Sequence, residues 1–414
     1  MNTHQWSDSS QATLSSKRVR GFEQWALKKY LNTIGDPPVR IVLWDGDSFT
    51  TNDTTPVGTI YIKDRSTLYG LLVNPELSFG EAYIDGSMEI EGDLPNLLAH
   101  IFRGQRNMSE SGTVARLLCK QGMRRPRRNT KSGSRHNIHQ HYDIGNEFYK
   151  LWLDERMQYT CAYFSSPDLT IEQAQIAKLD HICRKLQIRP GDRVVEAGCG
   201  WGSLALHIAR HYGAKVKAYN ISTQQIKYAR ERAVKEGMND MVEYIEDDYR
   251  NIKGDHDVFV SVGMLEHVGP QNYRELGDVI DRCLKEDGRG LLHSIGRNKP
   301  RMMNAWIEER IFPGAYPPTL RQMMDVFEPH YFSVLDVENL RLHYAATIEH
   351  WLQRYQQSES KVTEMFDEKF VRAWRLYLAG SIAVFKANSL QLFQILFARE
   401  GHPLPITRDY MYPS

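Results

Sequence analysis

Two kinds of apolar spacing alternate along the second half of the chain. Between Ile171 and Leu186, the residues Ile176, Leu179, Ile182 and Leu186 recur every three or four positions, which predicts an amphipathic helix. The β-branched run "DRVVEA" (192–197) then predicts a buried strand. Helical spacing resumes from Trp201 to Tyr212, "AKVKAY" (214–219) predicts a strand, and Thr223 to Glu236 a helix. "DVFVSVG" (257–263) and "RGLLHSIG" (289–296) predict further strands, with a helix between them at Asn272 to Leu284. Strand–helix alternation of this kind predicts a doubly wound parallel α/β sheet. Its ligands lie beyond the carboxyl ends of the strands.

The first 110 residues follow a different pattern. Val19, Phe22, Ala26 and Tyr30 predict a helix over Arg18 to Thr33. Short strand-like runs follow at 39–44, 58–63 and 88–93, punctuated by Gly, Asp, Asn and Pro. The expected organisation is a small α+β domain (1–110), an Arg-, Ser- and Gly-rich linker (111–137) and a larger catalytic domain (138–414). The apolar tail from Phe370 to Phe397 is expected to be helical, with a core helix favoured over membrane contact.

A length of 414 residues supports two domains, and 41% hydrophobic with 25% charged residues is ordinary for a soluble protein. The longest nearly apolar run, Leu376 to Phe385, is too short to span a bilayer, and the start lacks a signal-peptide core. Five irregularly spaced cysteines form neither a disulfide framework nor a zinc pattern, so a reducing, cytoplasmic location is expected. Charge changes the picture more. Net charge is +1, yet Ser111 to Tyr142 holds eight Lys/Arg and no acid, leaving −7 on the rest. Such a tract suits an anionic partner, either nucleic acid or an anionic membrane surface; a merely solvated linker is the plain alternative.

"VVEAGCGWGSL" (194–204) places Gly198, Gly200 and Gly202 between a strand and a helix, where the backbone can approach a ligand closely. No Lys-Ser/Thr pair follows, which excludes a Walker loop. A dinucleotide fold would want an acid about 20 residues on. Asn220 stands there instead, and the spacing is G-x-G-x-G. Glu196 beside the turn repels phosphate but suits an ammonium group, as in S-adenosylmethionine. Asp247 and Asp248 could sit near its adenine, or merely cap a helix.

Four motifs, "EAGCGWGSLALHIA", "QHYDIGNEFYKLWLDERMQYTCAYF", "GMLEHVGPQNY" and "LLHSIGRN", together resemble the cyclopropane-fatty-acid synthase family over roughly residues 136–400. The block at 39–93 resembles that family's N-terminal domain. The resemblance implies a class I (Rossmann-like) methyltransferase fold and S-adenosylmethionine as methyl donor. It implies cofactor contacts from Tyr159, Thr160, the loop Val195, Glu196, Ala197, Gly198, Cys199, Gly200, Trp201, Gly202 and Ser203, the segment Asn220, Ile221, Ser222, Thr223, Gln224 and Gln225, and Asp248 with Tyr249. It also implies that Cys161, Glu266, His293, the Ile295 backbone and Tyr344 cradle a bicarbonate ion that acts as base.

That chemistry methylates an alkene. It needs a dry apolar tunnel, aromatic faces for a cation, for which Tyr159, Tyr163 and Phe164 are candidates, and a base near the sulfonium. Glu266 and His267 are expected to end the fourth strand, and His293 and Ile295 the fifth. Taken singly, each of the five catalytic candidates has a plain structural role. Nucleophilic catalysis by Cys161 is discounted because ring closure needs no covalent enzyme intermediate. His136, His139 and His141 lack a completing ligand, so no metal is expected.

The expected activity is a cyclopropane-fatty-acyl-phospholipid synthase. It would act on unsaturated phospholipid chains as a homodimer at the inner face of the membrane, with no nucleic-acid partner. A relative giving a methyl-branched or methylene product, and a non-catalytic lipid- or nucleic-acid-binding protein on the same scaffold, stay open as alternatives. "IFPGAYPPTL" (311–320) departs from the family pattern at Ala315, Tyr316, Pro317 and Pro318.

Overall fold

A computed structural model describes residues 18–108, 144–403 and 405–412. The basic linker, Cys119, and His136, His139 and His141 lie outside them. The chain divides into two compact units. The first gathers the described residues up to Met108 with Asn304–Trp306 and Thr363–Ala387; the second holds the remainder.

In the first unit, strands β1 (Arg40–Val42), β2 (Ser48–Thr50), β3 (Gly58–Ile62) and β4 (Met88–Gly92) form a sheet in the order β2-β1-β3-β4. β1 and β3 are parallel, and the other pairs antiparallel. Helices Gly21–Thr33, Arg65–Val73, Pro75–Asp85 and Leu94–Met108 accompany it, the last three unforeseen in the sequence. A fifth helix comes from far along the chain, Glu368–Lys386. Asp367 caps it by accepting from the Phe370 N–H at 2.7 Å, and Val371, Trp374, Leu378 and Ile382 are buried at helical spacing. It packs on Pro75–Asp85 and Leu94–Met108, and Arg372 Nε donates to the Tyr83 carbonyl at 2.6 Å.

This corrects the expected helix over Phe370 to Phe397. The helix stops at Lys386, Asn388 turns with φ +60°, and Gln391–Ala398 is strand β11. Every residue of β11 is buried, so the segment has no alternation to set it apart from the apolar helix before it.

The second unit holds the sheet β10-β11-β9-β8-β5-β6-β7, with β5 Arg193–Ala197, β6 Lys215–Asn220, β7 Val242–Glu246, β8 His256–Val262, β9 Leu284–Gly296 and β10 Ser333–Asn339. β5 to β9 run parallel, as expected; β10 and β11 add an antiparallel pair. Neighbouring residues of β5 enter different cores: Val194 packs with Leu179, Val216 and Val258, and Val195 with Phe259, Val279 and Leu292. Both faces of the sheet are therefore covered, as a doubly wound fold requires. Strand order reverses at β5, between β6 on one side and β8 on the other, and this switch point is where a ligand crevice forms.

Candidate active site

The helix after β5 starts at Ser203, because the three glycines before it carry the turn. Gly198, Gly200 and Gly202 have φ of +85°, +53° and +82°. The Gly198 and Cys199 N–H groups donate to the Tyr219 carbonyl at 2.9 and 3.0 Å, which pins the loop to β6. A Cβ on Gly202 would lie 2.4 Å from the Tyr244 hydroxyl, which donates to the Gly202 carbonyl at 2.7 Å. A Cβ on Gly200 would meet nothing within 4 Å, because this residue faces a cavity.

That cavity sits beyond the ends of β5, β6 and β8. Of the residues expected at the cofactor, Tyr159, Thr160, Glu196, Gly198, Cys199, Gly200, Trp201, Ser203, Asn220, Ile221, Gln225, Asp248 and Tyr249 line it. Val195, Ala197, Gly202, Ser222, Thr223 and Gln224 do not. Val195 and Ala197 point into the core, and Ser222 caps the next helix. Thr223 donates to Glu246 at 2.7 Å, and Gln224 is exposed. The Asn220 amide donates to the Gly200 carbonyl at 3.3 Å and to Gln225 Oε1 at 2.8 Å, so its side chain braces the loop. The Asp248 carboxylate is held by Arg250 at 2.7 and 2.9 Å, and also caps the turn that follows.

Sequence reasoning missed Lys178 and Met264, which line the cavity, and named His267 at the end of the fourth strand without placing it on the cavity wall, where it stands. Lys178 is buried, donates from Nζ to Thr160 Oγ1 at 2.9 Å, and is pushed down to about 8 by burial. Helical periodicity carried the signal: Lys178 shares the buried face of Ile171–Lys185 with Gln175, Leu179 and Ile182. Burial pushes Glu196 up to about 8, Lys178 opposing, and leaves its Oε2 with no partner among the described residues. A buried acceptor beside a buried cation suits a ligand carrying an ammonium or hydroxyl donor and a carboxylate. The amino-acid end of S-adenosylmethionine has this character.

The five expected catalytic residues converge. Cys161 packs with Leu340 and Leu392, and Ile295 and Tyr344 pack against that group. The Tyr344 ring meets Trp351 edge-on at 6.0 Å. The Ala162 N–H donates to Thr347 Oγ1 at 2.9 Å, tying the Cys161 segment to the helix Arg341–Gln357. The Ile295 N–H donates to Glu266 Oε1 at 2.5 Å. Glu266 stands in a 3-10 turn, Leu265–His267, past β8 and not at its end. His293 lies two residues before Ile295 on the same face of β9.

Burial sets the protonation of this group. Glu266 is pushed up to about 7, with the Ile295 N–H opposing, and His293 down to about 3. Burial pushes the Cys161 thiol far up, so it is a packed thiol and no thiolate nucleophile. Gln394 Nε2 stands 3.2 Å from His293 Nδ1, and with the amide nitrogen assigned as donor the ring proton sits on Nε2. His293 Nε2 and Glu266 Oε2 are then a buried donor and a buried acceptor with no partner among the described residues. The chemistry of these two atoms suits a small oxyanion carrying its own proton, such as bicarbonate. The Ile295 N–H, expected as a donor to that ion, is given to Glu266 instead.

Of the aromatic candidates, Tyr163 packs against the Cys161 group beside Ile295 and Tyr344, and neither it nor Phe164 lines the cofactor cavity. Tyr163 stacks on His181 at 4.2 Å and His343 at 4.8 Å, and Phe164 on His350 at 5.4 Å. Tyr159 lines the cavity, its ring set among Tyr149, Trp152 and Trp351. The divergent loop at 311–320 borders Glu266, whose carbonyl accepts from the Tyr316 N–H at 2.8 Å.

A mostly parallel sheet closed by an antiparallel pair, with a glycine turn after β5 and a cavity at the switch point, defines a class I S-adenosylmethionine-dependent methyltransferase. The chain belongs to the mycolic acid cyclopropane synthetase family, whose model matches residues 129–395; a domain of unknown function matches 26–112. It is 38% identical over 390 residues to a "Probable fatty acid methyltransferase" of Pseudomonas putida, covering 91% of this chain and 96% of that one. It is 36% identical over 352 residues to the "Cyclopropane-fatty-acyl-phospholipid synthase" of Escherichia coli strain K12, covering 82% and 87%. The solved cyclopropane synthase MmaA2 from Mycobacterium tuberculosis superposes with a TM-score of 0.61 at 26% identity, covering 64% of this chain and 98% of that one.

Proposed function

We propose that the protein transfers the methyl group of S-adenosylmethionine to a cis double bond in an unsaturated phospholipid acyl chain and closes a cyclopropane ring, with bicarbonate as base. It would do so as a homodimer at the inner face of the membrane. The buried, unpartnered pair Glu266 Oε2 and His293 Nε2 carries this reading. The cation left by methyl transfer must lose a proton to give a ring, and two buried polar atoms left without partners would be a cost without a use.

S-adenosylmethionine, when bound, supplies an electrophilic methyl on a sulfonium. The alkene π-electrons form the new C–C bond as the S–C bond breaks, leaving a cation on the neighbouring chain carbon. Ring closure follows when a C–H electron pair of the new methyl joins that carbon and its proton departs. Bicarbonate, when bound, supplies the weak base for that proton. Glu266 Oε2 would accept the ion's own proton and the His293 Nε2–H would donate to one of its oxygens, so together they would fix which oxygen faces the methyl. Lys178, Thr160 and Glu196 would hold the amino-acid end of the donor. Val262 and Met264 add apolar surface to the cavity wall.

A second reading, a methyl-branched or methylene product, has a specific observation behind it. The Ile295 N–H is engaged by Glu266, so the ion has one donor fewer. The experiment is to incubate pure protein with S-adenosylmethionine and unsaturated phospholipid vesicles, then read acyl masses and ring protons. Upfield ring protons support cyclopropanation. Branched or methylene signals without them select the second reading.

A further inference from the structure

The first unit presents a surface that this chemistry does not use. The helix Gly21–Thr33 buries Glu23, Leu27 and Leu31 and turns Phe22 and Trp25, three positions apart, toward solvent at 57% and 60% exposure. Arg18, Arg20, Lys28 and Lys29 are exposed around them. Glu23, the one acid of the helix, is buried, where Arg65 Nε at 2.7 Å and the Tyr69 hydroxyl at 2.7 Å both donate to it. Lys28 Nζ stands 5.0 Å over the Phe49 ring and Lys29 Nζ 4.9 Å over Trp25, so cations and rings form one surface. Two exposed acids border the face, Asp45 accepting from the neutral Val19 N–H and Asp47 from the neutral Gln24 amide, so the four cations named outnumber them.

Two large exposed aromatics ringed by four cations, on a helix whose acid is hidden, have the chemistry of an interfacial anchor. The rings sit at the headgroup–acyl boundary while Lys and Arg meet anionic headgroups. A stable protein partner suits the face less well. Two aromatic side chains bury about 150–250 Å² each, against roughly 800 Å² per partner in a specific protein interface. We propose that this face docks the protein on an anionic phospholipid bilayer. The inference rests on the reading that the substrate is a bilayer phospholipid, and it assigns a role to a unit whose matching domain model carries none.

The test uses the full chain and co-sedimentation with phosphatidylcholine vesicles, with and without phosphatidylglycerol. Phe22→Ser/Trp25→Ser is expected to lower the bound fraction at least tenfold on both vesicle types. Lys28→Gln/Lys29→Gln should lower it on the anionic vesicles alone. Unfolding temperature, elution volume and S-adenosylmethionine affinity should stay at wild-type values in both. Wild-type sedimentation of the aromatic variant overturns the proposal. A changed elution volume with unchanged sedimentation also overturns it, making the face a contact between copies of the chain. Because binding is scored without turnover, a protein that docks yet forms no cyclopropane fails the functional reading and leaves the docking face standing.

Discussion

Glu266 is where stability and the proposed chemistry pull apart. Its carboxyl titrates near 7 in the folded chain against an ordinary 4.5, because burial penalises the charge. Between those two values the folded state holds a proton that the unfolded state has lost, so stability falls as pH rises from about 4.5 to 7 and is flat above. Glu266→Gln removes that cost. Its unfolding temperature should match wild type near pH 4 and exceed it at pH 8, by roughly 2–4 °C for each kcal/mol recovered. The same variant should bind S-adenosylmethionine normally and lose turnover by roughly 10²–10⁴. Wild-type kcat should climb as pH rises through 7, as the carboxylate forms. Equal melting of the two proteins at pH 8, or unchanged turnover, would remove Glu266 from this role. His293 offers a companion test. Gln394→Leu deletes the donor that keeps the ring proton on Nε2, so kcat should fall, by less than the roughly 10²–10⁴ of the acid–base group itself, with cofactor affinity intact.

Among the elements, the glycine turn makes the most discriminating prediction, because its glycines are needed for different reasons. Gly202→Ala drives a methyl into the Tyr244 hydroxyl at a left-handed backbone position, so it should lower the unfolding temperature as well as cofactor affinity. Gly200→Leu has space for its Cβ and incurs only the left-handed cost, about 1–2 kcal/mol. It should fold, yet lose S-adenosylmethionine binding by calorimetry, because its side chain fills the cavity. NAD should bind neither wild type nor variant. A Gly200→Leu protein that binds the cofactor normally would place the ligand elsewhere. This turn was fully legible in the sequence, as were β5, β8 and the 289–296 part of β9, whose runs are buried and flanked by turn residues, and β6, whose exposed Lys215 and Lys217 alternate with buried residues. β11 was not, since "QLFQILFA" continues the composition of the helix before it. Glu266 and His293 were legible only through family resemblance, and the Gln394 and Ile295 contacts to them join residues far apart in sequence. Lys178 stood in plain sight on an apolar helix face, where a cation has no cheap reason to be.

At the scale of the whole molecule, charge is the organising quantity. Eight cations without an acid occupy Ser111 to Tyr142, outside the described residues, while the rest of the chain carries −7. In a chain so divided, this tract is the densest run of positive charge that an anionic bilayer could attract. Attraction of about 1 kcal/mol per basic residue near such a surface makes Arg124, Arg125, Arg127 and Arg128 together a sizeable share of any membrane affinity. The effect acts through a screening length of about 8 Å at physiological salt, so it should fade at high salt. Changing the four arginines to Ser is therefore expected to weaken binding to phosphatidylglycerol-containing vesicles at low salt and to flatten the salt dependence. Binding to neutral vesicles should be untouched, since the exposed Phe22 and Trp25 contribute there without charge. The two surfaces then separate cleanly: the arginine variant changes the salt slope, and the aromatic variant changes the binding that remains at high salt. If the four-Ser protein binds anionic vesicles with the wild-type affinity and the wild-type salt slope, the tract is a solvated linker and the anionic preference must come from Arg18, Arg20, Lys28 and Lys29 alone.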